Sequence, residues 1–181
     1  GNSSTASQSI TVNDNIAPTA DVLPALGPYS CYADIPAANI NDVTGEADNC
    51  VGAVTVAFVS DSANPGCSGT VTRTYSLTDV CGNTVNITQS ITVNDNIAPV
   101  ITGVPAAVTY TCAADVPVAS TASVSATDNC SGTVTITVSD VTTAGSCVNR
   151  FTVVRTWTAT DACGNSSTAS QSITVNDNIA P

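Results

Sequence analysis

The segment RFTVVRTWTAT, residues 150–160, places Val153, Trp157 and Ala159 in a period of two, in which Arg155 takes the one polar position. The segment GTVTRTYSLT, residues 69–78, repeats this pattern with Tyr75 in place of Trp157. Apolar residues with a period of two share one face of a β-strand. Working outward, we predict further strands at 54–58, 84–93, 106–112, 120–127, 134–138 and 166–175. Gly, Pro, Asn and Asp mark the turns between them, so the sequence predicts an all-β fold of Ig-like β-sandwiches.

The composition excludes several classes of function. The 181 residues include 14 acidic and 3 basic side chains, a formal net charge of −11, and no His, Lys or Met. Catalytic triads, imidazole metal sites and Schiff bases are therefore unavailable. So few cations argue against nucleic acid and anionic membrane surfaces as partners. No apolar run approaches the roughly 18 residues of a membrane span, and we predict no direct membrane insertion.

Internal repetition sets the domain organisation. The motif ITVNDNIAP occurs three times, at 10–18, 91–99 and 173–181, and residues 1–18 are identical to 164–181. We interpret the chain as one period of a long array of two alternating modules; an arbitrary cut at matching points is the simpler alternative. The predicted domains are 1–18, the final strand and linker of a preceding repeat; 19–99, the first Ig-like repeat; and 100–181, the second, ending in the linker to a following repeat.

Each repeat contains four of the eight cysteines. Without His or any CxxC pair they indicate disulfides and an oxidising, extracellular setting. A strand of eight residues spans roughly 26 Å, so strand direction puts Cys50 and Cys81 at one end of the first repeat and Cys31 and Cys67 at the other. We therefore predict two disulfides within each repeat: Cys31–Cys67, Cys50–Cys81, Cys112–Cys147 and Cys130–Cys163.

Three motifs together resemble a known family. These are DNC, the block R-T-[WY]-x-x-T-D-x-C-G-N at 73–83 and 155–165, and the closing ITVNDNIAP. The combination resembles the hyalin-repeat-like Ig-fold modules of giant secreted proteins of Bacteroidota, including gliding-motility adhesins, and it covers nearly the whole chain twice. The resemblance implies an extracellular stalk or surface filament.

The linker motif NDN followed by proline also resembles the calcium-binding linker of cadherins, although Thr11 replaces an acid of that pattern. Strand direction brings each linker to the end of the repeat where DNC and DxCGN lie. Such clusters of carboxylates suit Ca²⁺, whereas Asx turns fixed by proline are the alternative interpretation. The candidate calcium ligands are Asp14, Asp48 and Asp79 at one joint, and Asp95, Asp128 and Asp161 at the other.

We expect a structural function, a linear rod of disulfide-stapled modules within a cell-surface adhesin. Its partners would be further copies of the repeat in one chain, with lateral self-association left open. The alternative is a module whose own surface binds glycan or protein, although 4% aromatic residues offer little material. A carboxylate enzyme ranks third, and we predict no enzymatic activity. Ser62, in Asp61-Ser62-Ala63, matches a short O-glycosylation motif of Bacteroidota that also arises by chance.

Overall fold

The predicted all-β fold is confirmed by the computed structural model, which describes residues 1–130 and 132–179. The strands are β1 Leu26–Tyr29, β2 Thr55–Asp61, β3 Ser68–Thr78, β4 Thr84–Asn94, β5 Val100–Thr102, β6 Val108–Tyr110, β7 Ser125–Thr127, β8 Thr135–Cys147, β9 Arg150–Thr160 and β10 Ser166–Asn176. Short 3₁₀ turns cover Tyr32–Asp34, Ile40–Asp42 and Ala113–Asp115. Within the described residues, no helix is long and apolar enough to cross a bilayer.

Each sequence repeat builds a four-stranded sheet. The strand order is β1-β4-β3-β2 in the first repeat and β6-β10-β9-β8 in the second. The long hairpin strands pair antiparallel, and β6 runs parallel to β10. A second layer is minimal: β5 pairs with β7 and contacts β10, and the first repeat has only the bridge between Thr19 and Ala47 there. The architecture is a small Ig-like sandwich in tandem.

The inward faces of β3 and β9 make the cores, as the alternation predicts. Tyr75 is buried in a cluster with Leu23, Val43 and Leu77. Its hydroxyl donates a hydrogen bond to the carbonyl of Asn39 at 3.3 Å. In the second repeat Trp157 is equally buried, and its indole Nε1 donates to the carbonyl of a residue on a facing loop, Ser120, at 3.0 Å. Each large aromatic side chain thus satisfies its polar atom within the core.

The compact units of the structure do not follow the sequence period. The first unit contains Gly1–Gly27, Pro36–Asn64 and Thr70–Thr92, and the second contains Pro28–Ile35, Pro65–Gly69 and Val93–Pro181. Two loops of the first sequence repeat, which carry Cys31 and Cys67, therefore pack in the same unit as the second repeat. This arrangement decides the disulfides.

Both disulfides lie within the second unit and link the two sequence repeats. Cys31 is bonded to Cys130, with Cα atoms 5.3 Å apart, and Cys67 is bonded to Cys163, with Cα atoms 5.2 Å apart. The four other cysteines are free thiols: Cys50, Cys81, Cys112 and Cys147.

These bonds correct all four predicted pairings, namely Cys31–Cys67, Cys50–Cys81, Cys112–Cys147 and Cys130–Cys163. Strand direction identifies the cysteines that share one end of a repeat. It does not reveal that the loops at the end of one repeat pack with the turns at the start of the next. Because a disulfide needs Cα atoms about 4.4–6.8 Å apart, that packing determines the partner.

The segment 1–12 forms no strand, although its sequence is that of 164–175, most of which is β10. Ile10 is 79% exposed, whereas the equivalent Ile173 is 1% exposed. Val12 is 90% exposed, whereas Val175 is fully buried. Unlike the segment 1–12, β10 is hydrogen-bonded between β6 and β9 and contacts β5 of the second layer.

Candidate metal site

Two pairs of aspartates meet at equivalent positions of the repeats. A carboxylate oxygen of Asp14 lies within 4.8 Å of one of Asp48, in the first unit. A carboxylate oxygen of Asp95 lies within 4.8 Å of one of Asp128, in the second unit. Each pair joins the aspartate of the NDN linker to that of the DNC motif. Four of the six predicted ligands therefore converge as two pairs.

In the second unit the two carboxylates divide their oxygens in the same way. Asp95 Oδ1 accepts a hydrogen bond from the amide of Ile97 at 3.2 Å. Asp128 Oδ2 accepts one from the amide of Cys130 at 2.9 Å. The remaining oxygens, Asp95 Oδ2 and Asp128 Oδ1, are buried and have no hydrogen-bond partner. One oxygen of each carboxylate makes an Asx turn, and the other is available to a ligand.

The first unit repeats this division. Asp14 Oδ1 accepts from the amide of Ile16 at 3.2 Å and from Asn49 Nδ2 at 3.3 Å. Asp48 Oδ2 accepts from the amide of Cys50 at 3.0 Å. Asp14 Oδ2 and Asp48 Oδ1 are buried without a partner. The Asx-turn interpretation and the ligand interpretation are therefore compatible, because they concern different oxygens.

Unpartnered carboxylate oxygens in a buried position are costly, and two anionic groups at this distance repel each other. In the second unit they line a cavity of about 20 Å³, together with Cys130, Asp161 and Cys163. That volume accommodates an occupant the size of one water molecule. A cation would satisfy both free oxygens and remove the repulsion.

The available donors favour a hard cation. Sulfur also borders each cluster, but the sulfur of Cys130 is in a disulfide and is not a thiolate. Burial, and then the hydrogen bond and charge of Asp14, raise the pKa of the Cys50 thiol, which keeps it protonated. Carboxylate oxygens remain, and these suit Ca²⁺ better than Zn²⁺.

The other two predicted ligands, Asp79 and Asp161, are occupied by their own turns. Asp161 Oδ1 accepts from the amides of Cys163 and Asn165, both at 2.8 Å, and its Oδ2 accepts from Asn165 Nδ2 at 2.9 Å. Asp79 has the same three contacts. Gly164 adopts φ +89°, which a side chain would oppose. Burial acts to raise the pKa of Asp161, but these hydrogen bonds outweigh it and lower the pKa overall.

This turn has the same geometry in both repeats, and it positions the linker. Asn165 Nδ2 also donates to the carbonyl oxygen of Asp95 at 3.3 Å, and the amide of Asp95 donates to the carbonyl of Cys67 at 2.8 Å. In the first unit Asn83 Nδ2 donates to the carbonyl of Asp14 at 3.4 Å. The side chain of Asn in the CGN motif thus fixes the aspartate of NDN, a role the sequence analysis missed. The sequence signal for this role was that the CGN and NDN motifs occur together in each period.

Ser62 is exposed, and its Oγ accepts a hydrogen bond from the amide of Thr72 at 3.0 Å. Its neighbour Asp61 forms a bidentate ion pair with Arg73, at 2.8 Å for both contacts. The aspartate of the short motif therefore has a structural role, and glycosylation of Ser62 stays a prediction.

Comparisons with known proteins agree with the repeat. A family model described as an HYR-like domain with four cysteines matches residues 28–93 and again 100–175. No curated protein sequence matches the chain. Among solved structures, the chain is similar to the crystal structure of the protocadherin gamma-B4 extracellular domain, with 15% identity and a TM-score of 0.40 over 87% of this chain. It spans 34%, about a third, of that structure's length. The two family matches cover most of this sequence, and the chain belongs to the family of HYR-like domains with four cysteines.

Proposed function

We propose that this chain is a segment of an extracellular stalk or filament of an adhesin, in which Ca²⁺ at each linker stiffens the connection between modules. The family and the disulfides suggest an extracellular, adhesion-type module. The observation that carries the calcium proposal is the pair of buried, unpartnered oxygens of Asp95 and Asp128.

The distances are compatible with a shared calcium ion. Ca²⁺ ligands lie at about 2.4 Å, so two oxygens on one ion are at most about 4.8 Å apart. The carboxylates of Asp95 and Asp128 meet this limit. Asp95 belongs to the linker sequence and Asp128 to the DNC turn, so one ion held by both would tie the linker to the following repeat. Backbone carbonyls, amide oxygens and water would complete the six to eight ligands.

The linker itself is restrained without the ion. Pro18 and Pro99, which end the NDNIAP motif, are both fully buried, and a proline ring limits φ. The linker aspartates are held by Asn83 and Asn165 as described above. A short, proline-fixed linker favours a linear array of modules. A rod shape, lateral association and the absence of enzymatic activity stay predictions.

The test is calorimetric titration of the chain with CaCl₂. We expect two sites with Kd on the order of 10⁻⁴–10⁻³ M, as in other extracellular modules. Asp128→Asn should abolish one site and Asp48→Asn the other, because each variant loses a charged ligand. The oxygen of the asparagine side chain can still form the turn, so the fold should be retained. Asp115→Asn, which makes the same charge change at an exposed position outside both clusters, should leave both sites intact. Equal binding by wild type and the Asp48→Asn/Asp128→Asn double variant would refute the assignment.

The mechanical part needs a separate readout. Small-angle scattering in millimolar CaCl₂ and in EGTA should show a longer, less variable particle with calcium. A chelator that changes neither the scattering curve nor the melting temperature would contradict the stiffening role.

A further inference from the structure

The four free thiols are the repeat equivalents of the four bonded cysteines. Each repeat contains a first, second, third and fourth cysteine along the chain. In the observed bonds, the first cysteine of one repeat joins the second of the next, and the third joins the fourth of the next. By position in the repeat, Cys50 and Cys81 correspond to Cys130 and Cys163, which bond to the preceding repeat. Cys112 and Cys147 correspond to Cys31 and Cys67, which bond to the following repeat.

The backbone presents the free and bonded cysteines alike. The amide of Cys50 donates to Asp48 at 3.0 Å, as that of Cys130 donates to Asp128 at 2.9 Å. The amides of Cys81 and Cys163 each donate to the aspartate of their turn at 2.8 Å.

At the other end of the repeat, the first cysteine has the same backbone conformation in both repeats. Cys31 precedes the turn Tyr32–Asp34 with φ −117° and ψ 149°, and Cys112 precedes the turn Ala113–Asp115 with φ −120° and ψ 144°. Cys147 lies at the end of β8. The hairpin loop that contains it is two residues longer than the loop that contains Cys67, when each is counted from the cysteine to the equivalent arginine, Arg155 or Arg73. Three of the four thiols, Cys81, Cys112 and Cys147, are exposed.

We propose that the free thiols bond to neighbouring copies of the module, so that two disulfides cross every linker of the array. Cys50 and Cys81 would pair with the first and third cysteines of a preceding module. Cys112 and Cys147 would pair with the second and fourth cysteines of a following module. The inference rests on the proposed function in taking the partner to be another copy of the module, and it does not require calcium.

In a stalk, the proposed disulfides would add covalent cross-links across each linker. At each linker a pulling force would be shared by the main chain and two disulfides. Cys50 would also become a disulfide like Cys130, which leaves only oxygen donors at the first aspartate pair. Each new bond removes two electrons and two protons from two thiols. A small-molecule disulfide such as oxidised glutathione accepts them by thiol–disulfide exchange, and two molecules of reduced glutathione leave.

The test uses a chain in which residues 19–181 are duplicated in tandem and folded in a glutathione redox buffer. Free thiols are alkylated, and the chain is cleaved before aspartate, which puts each of the eight cysteines of a period on its own peptide. We expect four free thiols, as in the single chain, and two new cross-links. The cross-links join peptide 95–114 to 48–60 and peptide 140–160 to 79–94, each in half of the copies.

Matched variants locate the bonds. Cys50→Ser in the second copy should free one further thiol, on peptide 95–114. The same substitution in the first copy should remove one free thiol and leave the cross-links unchanged. The Cys31–Cys130 and Cys67–Cys163 links report that each copy has folded.

Two results would overturn the inference in a folded chain: eight free thiols, twice the number of the single chain, or none. The calcium titration of the same protein keeps the proposals distinct. Calcium binding without the new cross-links leaves the proposed function standing, and cross-links without calcium binding remove only the calcium joint.

Discussion

The sulfur of Cys31 is bonded to that of Cys130, although 99 residues separate them in the sequence. Each of these cysteines has an equivalent one period away that is a free thiol, Cys112 and Cys50 respectively. The bond therefore connects successive sequence repeats, and both of its cysteines lie in one compact unit of the structure.

Disulfide mapping of the 181-residue chain checks this connectivity. After alkylation and cleavage before aspartate, peptide 21–33 should be linked to 128–139, and peptide 61–78 to 161–176. The Cys67→Ser/Cys163→Ser double variant should lose about 2–4 kcal/mol of unfolding free energy, because the bond restricts the unfolded chain. A link between peptides 21–33 and 61–78 would restore pairing within the repeat and contradict the structure.

The free oxygens of Asp95 and Asp128 predict that the effect of Asp95→Asn on stability changes sign when calcium is added. In EGTA, Asp95→Asn should raise stability by roughly 1 kcal/mol, because it removes repulsion between two nearby carboxylates. In saturating calcium the same substitution should lower the melting temperature relative to wild type, because the ion loses a ligand. Thermal unfolding in both buffers measures this. The same sign in both buffers would exclude a calcium ligand at Asp95.

Asp161 should behave differently, because it already accepts three hydrogen bonds. Asp161→Ala should destabilise the second unit in EGTA and in calcium alike, because it leaves the amides of Cys163 and Asn165 without their acceptor. Urea unfolding in the two buffers provides the comparison. A loss confined to the calcium buffer would assign Asp161 to the ion.

Acid should weaken the ion pair of Arg155 with Asp140. The Arg155 guanidinium holds the pKa of Asp140 below its usual range, against the opposing effect of burial. Because the folded pKa is below the unfolded value of about 3.9, the pair's contribution is complete above that value and is lost as the pH falls through the folded pKa.

Asp140→Asn should therefore cost roughly 1 kcal/mol at pH 7, a modest value because the Asp140 side chain is about a third exposed. Its difference from wild type should shrink once the pH falls below the unfolded pKa of Asp140 and disappear below the lowered folded pKa. Urea unfolding at several pH values tests this, with Asp115→Asn as the charge control. A difference that persists unchanged in acid would mean that packing, and not ionisation, is responsible.

The two copies of one sequence provide a matched pair of substitutions, one at a buried isoleucine and one at an exposed isoleucine. Ile173→Ala should cost about 2–5 kcal/mol, since it leaves a cavity beneath β10, whereas Ile10→Ala should have almost no effect because Ile10 is exposed. Chemical unfolding of both variants decides. Equal losses would show that residues 1–12 pack in solution as β10 does.

Most elements of the fold were predictable because their causes are local. The alternation in 69–78 and 150–160 depends on the two-residue period of a strand, and those segments are β3 and β9. The DxCGN turn depends on one aspartate, its nearby amides and a glycine at positive φ. Convergence of Asp95 with Asp128 was predicted from strand direction. For Asp161 the sequence left a calcium ligand and an Asx turn as alternatives, and the orientation of its single oxygens decides for the turn.

The sequence by itself determined the repeat, the strands and the turn chemistry, because each follows from backbone geometry within about ten residues. The tertiary structure decided the rest. GNSSTASQSITVNDNIAP occurs at both ends of the chain, yet it supplies the strand β10 only beside β6 and β9. Cys31 could have paired with any cysteine at its end of the module. Its partner is Cys130 because a disulfide requires proximity in space, which only packing between successive repeats provides.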